Sequence, residues 1–276
     1  MRILITGANG YLGAFLSSEL EKRFDVVRAS RRGPSQATDL RLDITEGMAT
    51  RKCIADAKPD VILHAAALAS VAACAARPED AIQTNVKGTE NVVEAANACG
   101  ARLIFISSLA ARHPATVYGR TKYEAEAYVR AVSAGYEILQ LSMTFGLSPN
   151  QTSHRPFNKL MSTLQTGSPD TYDDSWVFQP TGARHVLEVI GQILRETFQG
   201  RTLPITTTET CTMYRLATDV LAPRTVQRGV LYRDRARSYV DPLALTAHRF
   251  PGYSYELLVR QLRSDLAQKK SRRAGA

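Results

Sequence analysis

A glycine-rich turn directly follows the first predicted strand, and it constrains the fold more than any other feature of the chain. The strand is predicted at residues 2–6, and a helix is predicted immediately after the turn. In this context Gly7 permits a tight turn, Gly10 lets a pyrophosphate approach the backbone, and Gly13 lets the helix pack against the strand. The pattern predicts dinucleotide binding at the helix N-terminus. The residues of this turn that we expect to contact the cofactor are Gly7, Asn9, Gly10, Tyr11, Leu12 and Gly13.

Short β-rich runs alternate with longer helical patterns along the first half of the chain. Strands are predicted at residues 2–6, 25–30, 60–65, 102–107 and 136–141, and helices at 11–23, 45–56, 78–99 and 118–134. This alternation is typical of βαβ units and predicts the α/β class, with a Rossmann-type doubly wound parallel sheet. Ligands of such sheets bind beyond the carboxyl ends of the strands.

The pattern loosens after residue 142, which indicates a second region. We expect residues 1–145 to form the dinucleotide-binding Rossmann domain and residues 146–276 to form mainly a small, interleaved substrate-binding lobe. A helix at 182–198 and a strand at 202–206 are expected to return to the first domain. Further helices are predicted at 156–166, 212–222 and 254–268.

Tyr118 and Lys122 are separated by one helical turn and would point into the same site. A phenol with its ordinary pKa near 10 is a poor acid–base catalyst at neutral pH. An adjacent ammonium stabilises the phenolate and lowers that pKa. The pair therefore indicates proton transfer to or from a carbonyl or an alcohol.

The end of the second predicted strand indicates which nicotinamide cofactor is bound. A carboxylate at this point would bind the ribose 2′-hydroxyl of NAD, but the chain has Ser30 followed by Arg31 and Arg32. Arginine makes forked hydrogen bonds to phosphate, so these residues favour NADP(H) over NAD(H). The alternative is an exposed basic turn without a ligand.

Composition narrows the class of protein further. The net charge is +9, and residues 223–276 carry 12 Lys and Arg against 4 Asp and Glu. No recognition motif accompanies this charge, so nucleic-acid binding is not expected. Attraction of an anionic substrate or a solvated surface would explain the excess of basic residues.

The four cysteines have no paired spacing, which predicts neither a metal site nor disulfides. Without a signal or a membrane segment, we expect a cytoplasmic protein.

Six motifs in order over the first 145 residues resemble those of the extended short-chain dehydrogenase/reductases, the family that includes NAD-dependent epimerases and dehydratases. They are the glycine turn, Asp43-Ile44-Thr45, His64-Ala65-Ala66-Ala67, Asn85-Val86-Lys87-Gly88-Thr89, Ile106-Ser107-Ser108 and Tyr118-x-x-x-Lys122. Within that family, Gln179-Pro180-Thr181 and the run from Thr212 to Ala217 look most like the dTDP-4-dehydrorhamnose reductase branch.

The resemblance implies a role for each motif. Asp43 would contact the adenine, and Ser108 would hydrogen-bond the substrate carbonyl. Tyr118 would pass its proton to the carbonyl oxygen as hydride arrives, while Lys122 would hold the nicotinamide ribose. Asn85 would support this network, although it could instead cap or interrupt the long predicted helix. The other residues expected at the cofactor are Ile44, Ala65, Ala66, Ala67, Asn85, Ser107, Tyr118 and Lys122.

The chain departs from the family pattern in one interval. The interval from Ser108 to Tyr118 is only ten residues, which is shorter than extended members usually show. Either the pocket is more open, or Ser107 replaces Ser108 at the carbonyl. His64 is expected to be structural.

Several residues are candidates for contacting substrate. A basic group in the lobe could neutralise a diphosphate, and an aromatic ring could stack on a base, above all Trp176, which we expect on a strand. The alternative is that these groups are solvated or packed in the lobe. The candidates are His113, His154, Arg155, Lys159, Trp176 and Phe178.

Together with the motifs, this resemblance implies an NADPH-dependent reductase of a keto group on a nucleotide-linked sugar of the 4-keto-6-deoxyhexose type. Two alternatives remain: an epimerase or dehydratase that recycles its cofactor, and a non-catalytic NADP-binding regulatory subunit. The expected partner is an anionic small molecule. The helices predicted at 78–99 and 118–134 could also form a homodimer face, although their apolar stripes serve a core equally well.

Overall fold

The computed structural model of this chain describes residues 1–32, 39–150, 155–231, 240–241 and 248–274. In chain order the strands are β1 (Arg2–Thr6), β2 (Asp25–Ser30), β3 (Leu40–Arg41), β4 (Val61–His64), β5 (Arg102–Ser108), β6 (Tyr136–Leu141), β7 (Thr144–Phe145), β8 (Asp170–Asp173), β9 (Thr181–Gly182), β10 (Arg201–Ile205) and β11 (Val226–Gly229). The helices are α1 (Tyr11–Leu20), α2 (Gly47–Ala57), α3 (Val71–Ala76), α4 (Pro78–Ile82), α5 (Gly88–Cys99), α6 (Val117–Val129), α7 (Pro156–Thr166), α8 (Ala183–Ile193), α9 (Met213–Val220) and α10 (Tyr255–Ala274). A π-helical turn spans Gln83–Lys87, and 3₁₀ turns span Leu109–Ala111 and Pro223–Thr225.

Among the described residues, one large sheet has the strand order β10-β6-β5-β4-β1-β2-β3. Its pairs from β3 through to β6 are parallel. The predicted doubly wound α/β fold is confirmed. The direction of winding reverses between β1 and β4, where Thr6 is paired with His64. Parallel sheets bind ligands at such a reversal, so the carboxyl ends of these two strands mark the expected site.

The core of this sheet lies between its strands and the helices that cover them. Leu4, Ile62 and Phe105 come from three neighbouring strands and are fully buried with Val92 of α5 and Val129 of α6. Strands buried on both faces have continuous apolar runs, which is why the sequence identified them. Each such side chain contributes roughly 1.5–3 kcal/mol through burial.

The helix predicted at residues 78–99 is interrupted by the π-helical turn at Gln83–Lys87. Asn85 lies in this turn, and its backbone carbonyl accepts a hydrogen bond from the Thr89 hydroxyl at 2.7 Å. The Asn85 side chain meanwhile bonds both backbone groups of Leu68, accepting from N–H at 2.8 Å and donating to C=O at 3.2 Å. These tertiary bonds compete with the regular helical ladder.

Trp176 does not lie on a strand, so that expectation was wrong. The strand β8 ends at Asp173, whose carboxylate accepts hydrogen bonds from the backbone N–H groups of Trp176 at 2.8 Å and Leu231 at 2.7 Å. This local side-chain-to-backbone bonding turns the chain away from the strand.

Two helices of the first unit are shorter than predicted. The helices predicted at 11–23 and 118–134 end at Leu20 and Val129.

The chain divides into two compact units. The first comprises Met1–Leu141 and Gly191–Leu203, and the second comprises Ser142–Ile190 and Pro204–Ala276. Within the second unit, β8 pairs with β11 and β7 pairs with β9, both in parallel. The assignment of one region to the cofactor and the other to the substrate stays a prediction.

Gly119, next to Tyr118 in α6, allows this helix to begin close to the turn that follows β5. A Cβ atom built at Gly119 would lie 2.6 Å from the backbone oxygen of Ala110. The short interval between Ser108 and Tyr118 therefore requires glycine at this position. Gly191 in α8 has no comparable contact, since its nearest neighbour is an Arg195 nitrogen at 3.8 Å.

We expect Gly119→Ala to lower the free energy of unfolding by about 1–3 kcal/mol, because backbone would have to move to relieve the clash. The matched control Gly191→Ala should raise it by up to about 1 kcal/mol through helix propensity. Urea unfolding of both variants measures the difference. Equal effects of the two substitutions would contradict the close approach at Gly119.

Candidate active site

The glycine turn closes tightly against the segment that follows β4. Gly7 has φ 69°, and a Cβ atom there would lie 2.6 Å from the Ala66 backbone nitrogen. A Cβ atom at Gly13 would lie 2.2 Å from the Gly7 oxygen, and the Gly10 N–H donates to that oxygen at 2.8 Å. The N-cap residue of α1 is Gly10, which has no side chain to cap the helix. A small cradle of backbone at a helix N-terminus fits a dinucleotide pyrophosphate.

Asn9 and Ser30 meet between this turn and the end of β2. The Asn9 amide nitrogen donates to the Ser30 hydroxyl at 2.8 Å, and Ser30 is buried. Arg31 and Arg32 follow on the surface. The structure thus brings together the residues expected near an adenosine ribose.

The Asp43 motif forms a local turn beyond β3. One oxygen of the Asp43 carboxylate accepts from the Thr45 N–H at 3.1 Å and from the Thr45 hydroxyl at 2.8 Å. Ile44 is buried, and its side chain would be 2.6 Å from a Cβ atom at Gly88. Ile44 therefore packs in the core, while half-buried Asp43 stays at the surface of the turn. The half-buried residues Ala65, Ala66 and Ala67 follow β4.

The catalytic candidates on α6 lie beside β5. The Thr116 hydroxyl caps the helix by accepting from the Gly119 N–H at 3.0 Å, which fixes the first turn and Tyr118 within it. Lys122 is only 2% exposed; its ammonium donates to the Ile106 carbonyl at 2.7 Å and lies 4.1 Å from the centre of the Phe105 ring. Burial lowers the pKa of Lys122 to about 7, and the nearby charge of Glu126 opposes that shift.

Ser107 and Ser108 point to different partners, because successive side chains of a strand alternate between its faces. The Ser107 hydroxyl is buried and donates to the Glu126 carboxylate at 2.6 Å. Ser108 is half-buried, and its oxygen accepts from the Ala110 N–H at 3.2 Å. That bond uses an oxygen lone pair and not the hydroxyl proton of Ser108. The geometry therefore favours Ser108 as the hydroxyl that faces a carbonyl.

Glu126 is a buried carboxylate that sequence reasoning missed. It is 2% exposed and accepts from Ser107, from the Gln140 amide at 2.9 Å and from Arg130 at 3.1 Å. Its position four residues after Lys122 was the available signal, because Tyr118, Lys122 and Glu126 fall on one helix face. An acidic residue in a helix with many charged residues is ordinarily expected to face solvent, so the burial of Glu126 was not predicted.

Asn85 joins this group from the π-helical turn. It is 1% exposed, and its amide nitrogen donates to the Thr121 hydroxyl at 3.0 Å. The Thr121 hydroxyl in turn donates to the Tyr118 carbonyl at 2.9 Å. Asn85 both interrupts the long helix and contacts the helix of the catalytic candidates, so the two alternatives from the sequence are compatible.

The substrate candidates differ in their surroundings. His113 is exposed in the loop before α6, and Arg155 precedes α7 and is half-buried. Trp176 is half-buried and stacks on Phe178 with ring centres 4.7 Å apart. Phe178 is fully buried, so it packs in the second unit and cannot stack on a base. His154 lies outside the described residues.

Lys159 also has a structural partner. Its ammonium donates to the Thr171 carbonyl at 2.6 Å and lies 3.2 Å from the Asp170 carboxylate.

In the described ranges, no group of three or more His, Cys, Asp or Glu side chains could hold a metal ion. No helix in the described part of the chain is long and apolar enough to cross a membrane.

The sheet, the glycine turn and the Tyr-x-x-x-Lys helix together define an extended short-chain dehydrogenase/reductase. A family model described as the RmlD substrate binding domain matches residues 1–254. The chain belongs to this family.

Two kinds of curated relative are similar to this chain. Methionine adenosyltransferase 2 subunit beta of Xenopus tropicalis is 27% identical over 72% of this chain and 63% of the relative. dTDP-4-dehydrorhamnose reductase of Streptomyces griseus is 33% identical over 52% of this chain and 50% of the relative. The chain thus spans less than two thirds of the length of these curated relatives.

Solved structures share the fold over nearly the whole chain. dTDP-4-dehydrorhamnose reductase from Bacillus anthracis, solved in complex with NADP, has a TM-score of 0.79 at 20% identity, covering 97% of this chain and 99% of that chain. UDP-glucose 4-epimerase from Thermus thermophilus, a complex with NAD, also has a TM-score of 0.79 at 20% identity with the same coverages.

We expect Glu126→Gln to lower the pKa of Lys122 further, by roughly one pH unit or more, because the opposing negative charge is lost. The matched control is Glu124→Gln, which changes an exposed carboxylate on the same helix and should leave Lys122 unchanged. The Cε shift of ¹³C-labelled lysine, assigned with Lys122→Met, reports the titration. An unchanged midpoint in Glu126→Gln would contradict this electrostatic coupling.

Proposed function

We propose that the protein is an NADPH-dependent reductase of a keto group on a nucleotide-linked sugar of the 4-keto-6-deoxyhexose type. The observation that carries the proposal is the placement of Lys122, buried against β5 on the helix that bears Tyr118. Ser108 lies at the end of that strand, and the glycine turn lies two strands away at the reversal of the sheet. Reduction of a carbonyl needs a proton donor, a hydroxyl for the carbonyl oxygen and a cofactor site. The candidate residues for all three lie at the carboxyl ends of the strands of this sheet.

In this proposal Tyr118 acts as the general acid. Its phenol gives a proton to the carbonyl oxygen, and the Ser108 hydroxyl donates a hydrogen bond to the same oxygen. The Lys122 ammonium stabilises the phenolate that forms on Tyr118. Reduced nicotinamide, when bound, supplies the hydride to the carbonyl carbon, so the product is an alcohol.

The relatives named as dTDP-4-dehydrorhamnose reductases support the choice of substrate class. An anionic nucleotide sugar is also compatible with the positive net charge of the chain. The second unit is proposed to bind this substrate, with Arg155 and Trp176 as candidate contacts.

NADP(H) is the proposed cofactor because Asn9 and Ser30 form a polar pair beside two arginines, with no carboxylate at the end of β2. Arg31 or Arg32 would pair with the 2′-phosphate. A charge-assisted hydrogen bond of this kind would contribute about 1.5–3 kcal/mol to binding of the cofactor. One solved structure with a similar fold is a complex with NADP and another is a complex with NAD, so this fold is compatible with either cofactor.

A regulatory subunit is the second candidate function. Its support is the similarity to methionine adenosyltransferase 2 subunit beta, which extends over 72% of this chain. In that case the protein would bind NADP and a partner enzyme, and Tyr118 would be dispensable. The intact Tyr118 and Lys122 pair favours the reductase.

We expect Tyr118→Phe to lower kcat by roughly a hundred- to ten-thousand-fold, because the general acid is lost, while the Kd for NADPH stays within about threefold. Tyr123→Phe is the matched control, since this tyrosine is on the same helix and 57% exposed. NADPH oxidation with a panel of nucleotide-linked 4-ketosugars measures both. Equal activity of wild type and Tyr118→Phe would refute Tyr118 as the acid.

We expect Arg31→Ala to weaken NADPH binding by roughly ten- to a hundredfold without changing NADH binding, because only NADPH carries the 2′-phosphate. Arg32→Ala tests the alternative donor, and Arg23→Ala is an exposed-arginine control. Titration of nucleotide fluorescence gives all the Kd values. If both arginine variants leave the NADPH to NADH ratio unchanged, the proposed cofactor preference is wrong.

A further inference from the structure

A chain of buried hydrogen bonds crosses the first unit from the end of β1 to the first turn of α6. Thr6 and His64 meet at 2.7 Å between the Thr6 hydroxyl and the ring Nδ1. His64 Nε2 lies 3.1 Å from the Thr89 hydroxyl, which donates to the Asn85 carbonyl at 2.7 Å. The Asn85 amide then reaches Thr121. We call Thr6, His64, Thr89, Asn85 and Thr121 the buried polar chain; none is more than 2% exposed.

The direction of these bonds determines the tautomer of His64. The single hydroxyl proton of Thr89 is used on the Asn85 carbonyl, so Thr89 accepts from His64 and the proton must be on Nε2. A neutral ring then has its unprotonated nitrogen at Nδ1, which accepts from the Thr6 hydroxyl. With hydrogen on Nε2 alone, a neutral ring satisfies every one of these bonds. Burial and the charge of Lys122 lower the pKa of His64 to about 3, which keeps the ring neutral.

Each end of the buried polar chain reaches a part of the candidate active site. Thr6 directly precedes Gly7, and its hydroxyl also faces the Ala66 N–H at 3.4 Å. At the other end, Thr121 adjoins Lys122 and donates to the Tyr118 carbonyl. The histidine is the centre of the span, because its two nitrogens bridge β1 and α5.

We propose that His64 is a positioning residue that couples the glycine turn to the helix bearing Tyr118 and Lys122, acting through Thr89 and Asn85. The proposal rests on the proposed reductase function for its kinetic consequence. A fully satisfied buried network is rigid and holds a unique arrangement. Misplacement of a reacting group by about 1 Å can cost roughly a hundredfold in rate, so a residue that touches no substrate can still control kcat.

An ordinary core histidine gives a different expectation. If His64 only fills space, its substitution should destabilise the protein and change the rate no more than an apolar core substitution does. Val92→Ala provides that comparison, since Val92 is fully buried on the same helix as Thr89 and belongs to the apolar core. Thr89→Val breaks the buried polar chain with little change in volume, and Thr89→Ser restores the hydroxyl.

The first readout needs no sugar substrate. In protein with ¹⁵N-labelled histidine, saturated with NADPH, we expect His64 to show a proton on Nε2 and none on Nδ1. In protein with ¹³C-labelled tyrosine, Thr89→Val should move the ring signal of Tyr118, assigned with Tyr118→Phe. Thr89→Ser and Val92→Ala should leave that signal in place. A proton on Nδ1, or an unmoved Tyr118 signal in Thr89→Val, would overturn the coupling.

The second readout is kinetic. Thr89→Val and His64→Phe should lower kcat at least about tenfold while the KM for NADPH changes by less than about threefold. Thr89→Ser should recover most of kcat, and Val92→Ala should keep it. Loss of kcat in Val92→Ala equal to that in Thr89→Val would overturn the positioning role. Absence of ketosugar reduction by wild type would instead refute the proposed function, and the spectroscopic readout would still decide the coupling.

Discussion

The approach of the glycine turn to the segment after β4 is the constraint on which the rest of the candidate site depends. Gly7 brings its backbone so close to Ala66 that a Cβ atom would lie 2.6 Å from the Ala66 nitrogen. This contact falls where the winding of the sheet reverses, between β1 and β4. It places the N-terminus of α1, where a helix can bind phosphate, beside the strands that carry the polar residues of the site.

Polar groups buried in a parallel sheet must find partners, and this requirement organises the site. Lys122 is held by a carbonyl and an aromatic ring, Glu126 by three donors, and Asn85 by Leu68 and Thr121. The cost of burial appears in the lowered pKa values of Lys122 and His64, at about 7 and about 3. A set of groups that is satisfied in only one arrangement gives the fixed geometry that proton transfer requires.

The sequence was sufficient for six of the seven strands of the described large sheet and for the glycine turn, because continuous apolar strands and glycine sterics are local properties. It gave no signal for β3, which has only two residues. It was insufficient for the π-helical turn, since that turn depends on the bonds that Asn85 makes to Leu68, 17 residues away. The choice between Ser107 and Ser108 also depended on which face of β5 meets α6. Glu126 was missed because its burial comes from Ser107 and Gln140 on neighbouring strands. Trp176 was misplaced because Asp173 ends β8 through bonds to backbone N–H groups.

If this edge of the sheet supports net reduction of a ketosugar, hydrogen from the cofactor must appear in the sugar product. The most direct measurement uses NADPH deuterated at the transferable position of the nicotinamide together with a dTDP-linked 4-keto-6-deoxyhexose, followed by mass spectrometry of the sugar product. We expect an alcohol that carries one deuterium on the former carbonyl carbon, formed in equal amount to oxidised cofactor. A product without deuterium, or no product while the cofactor is bound and unconsumed, would refute net reduction.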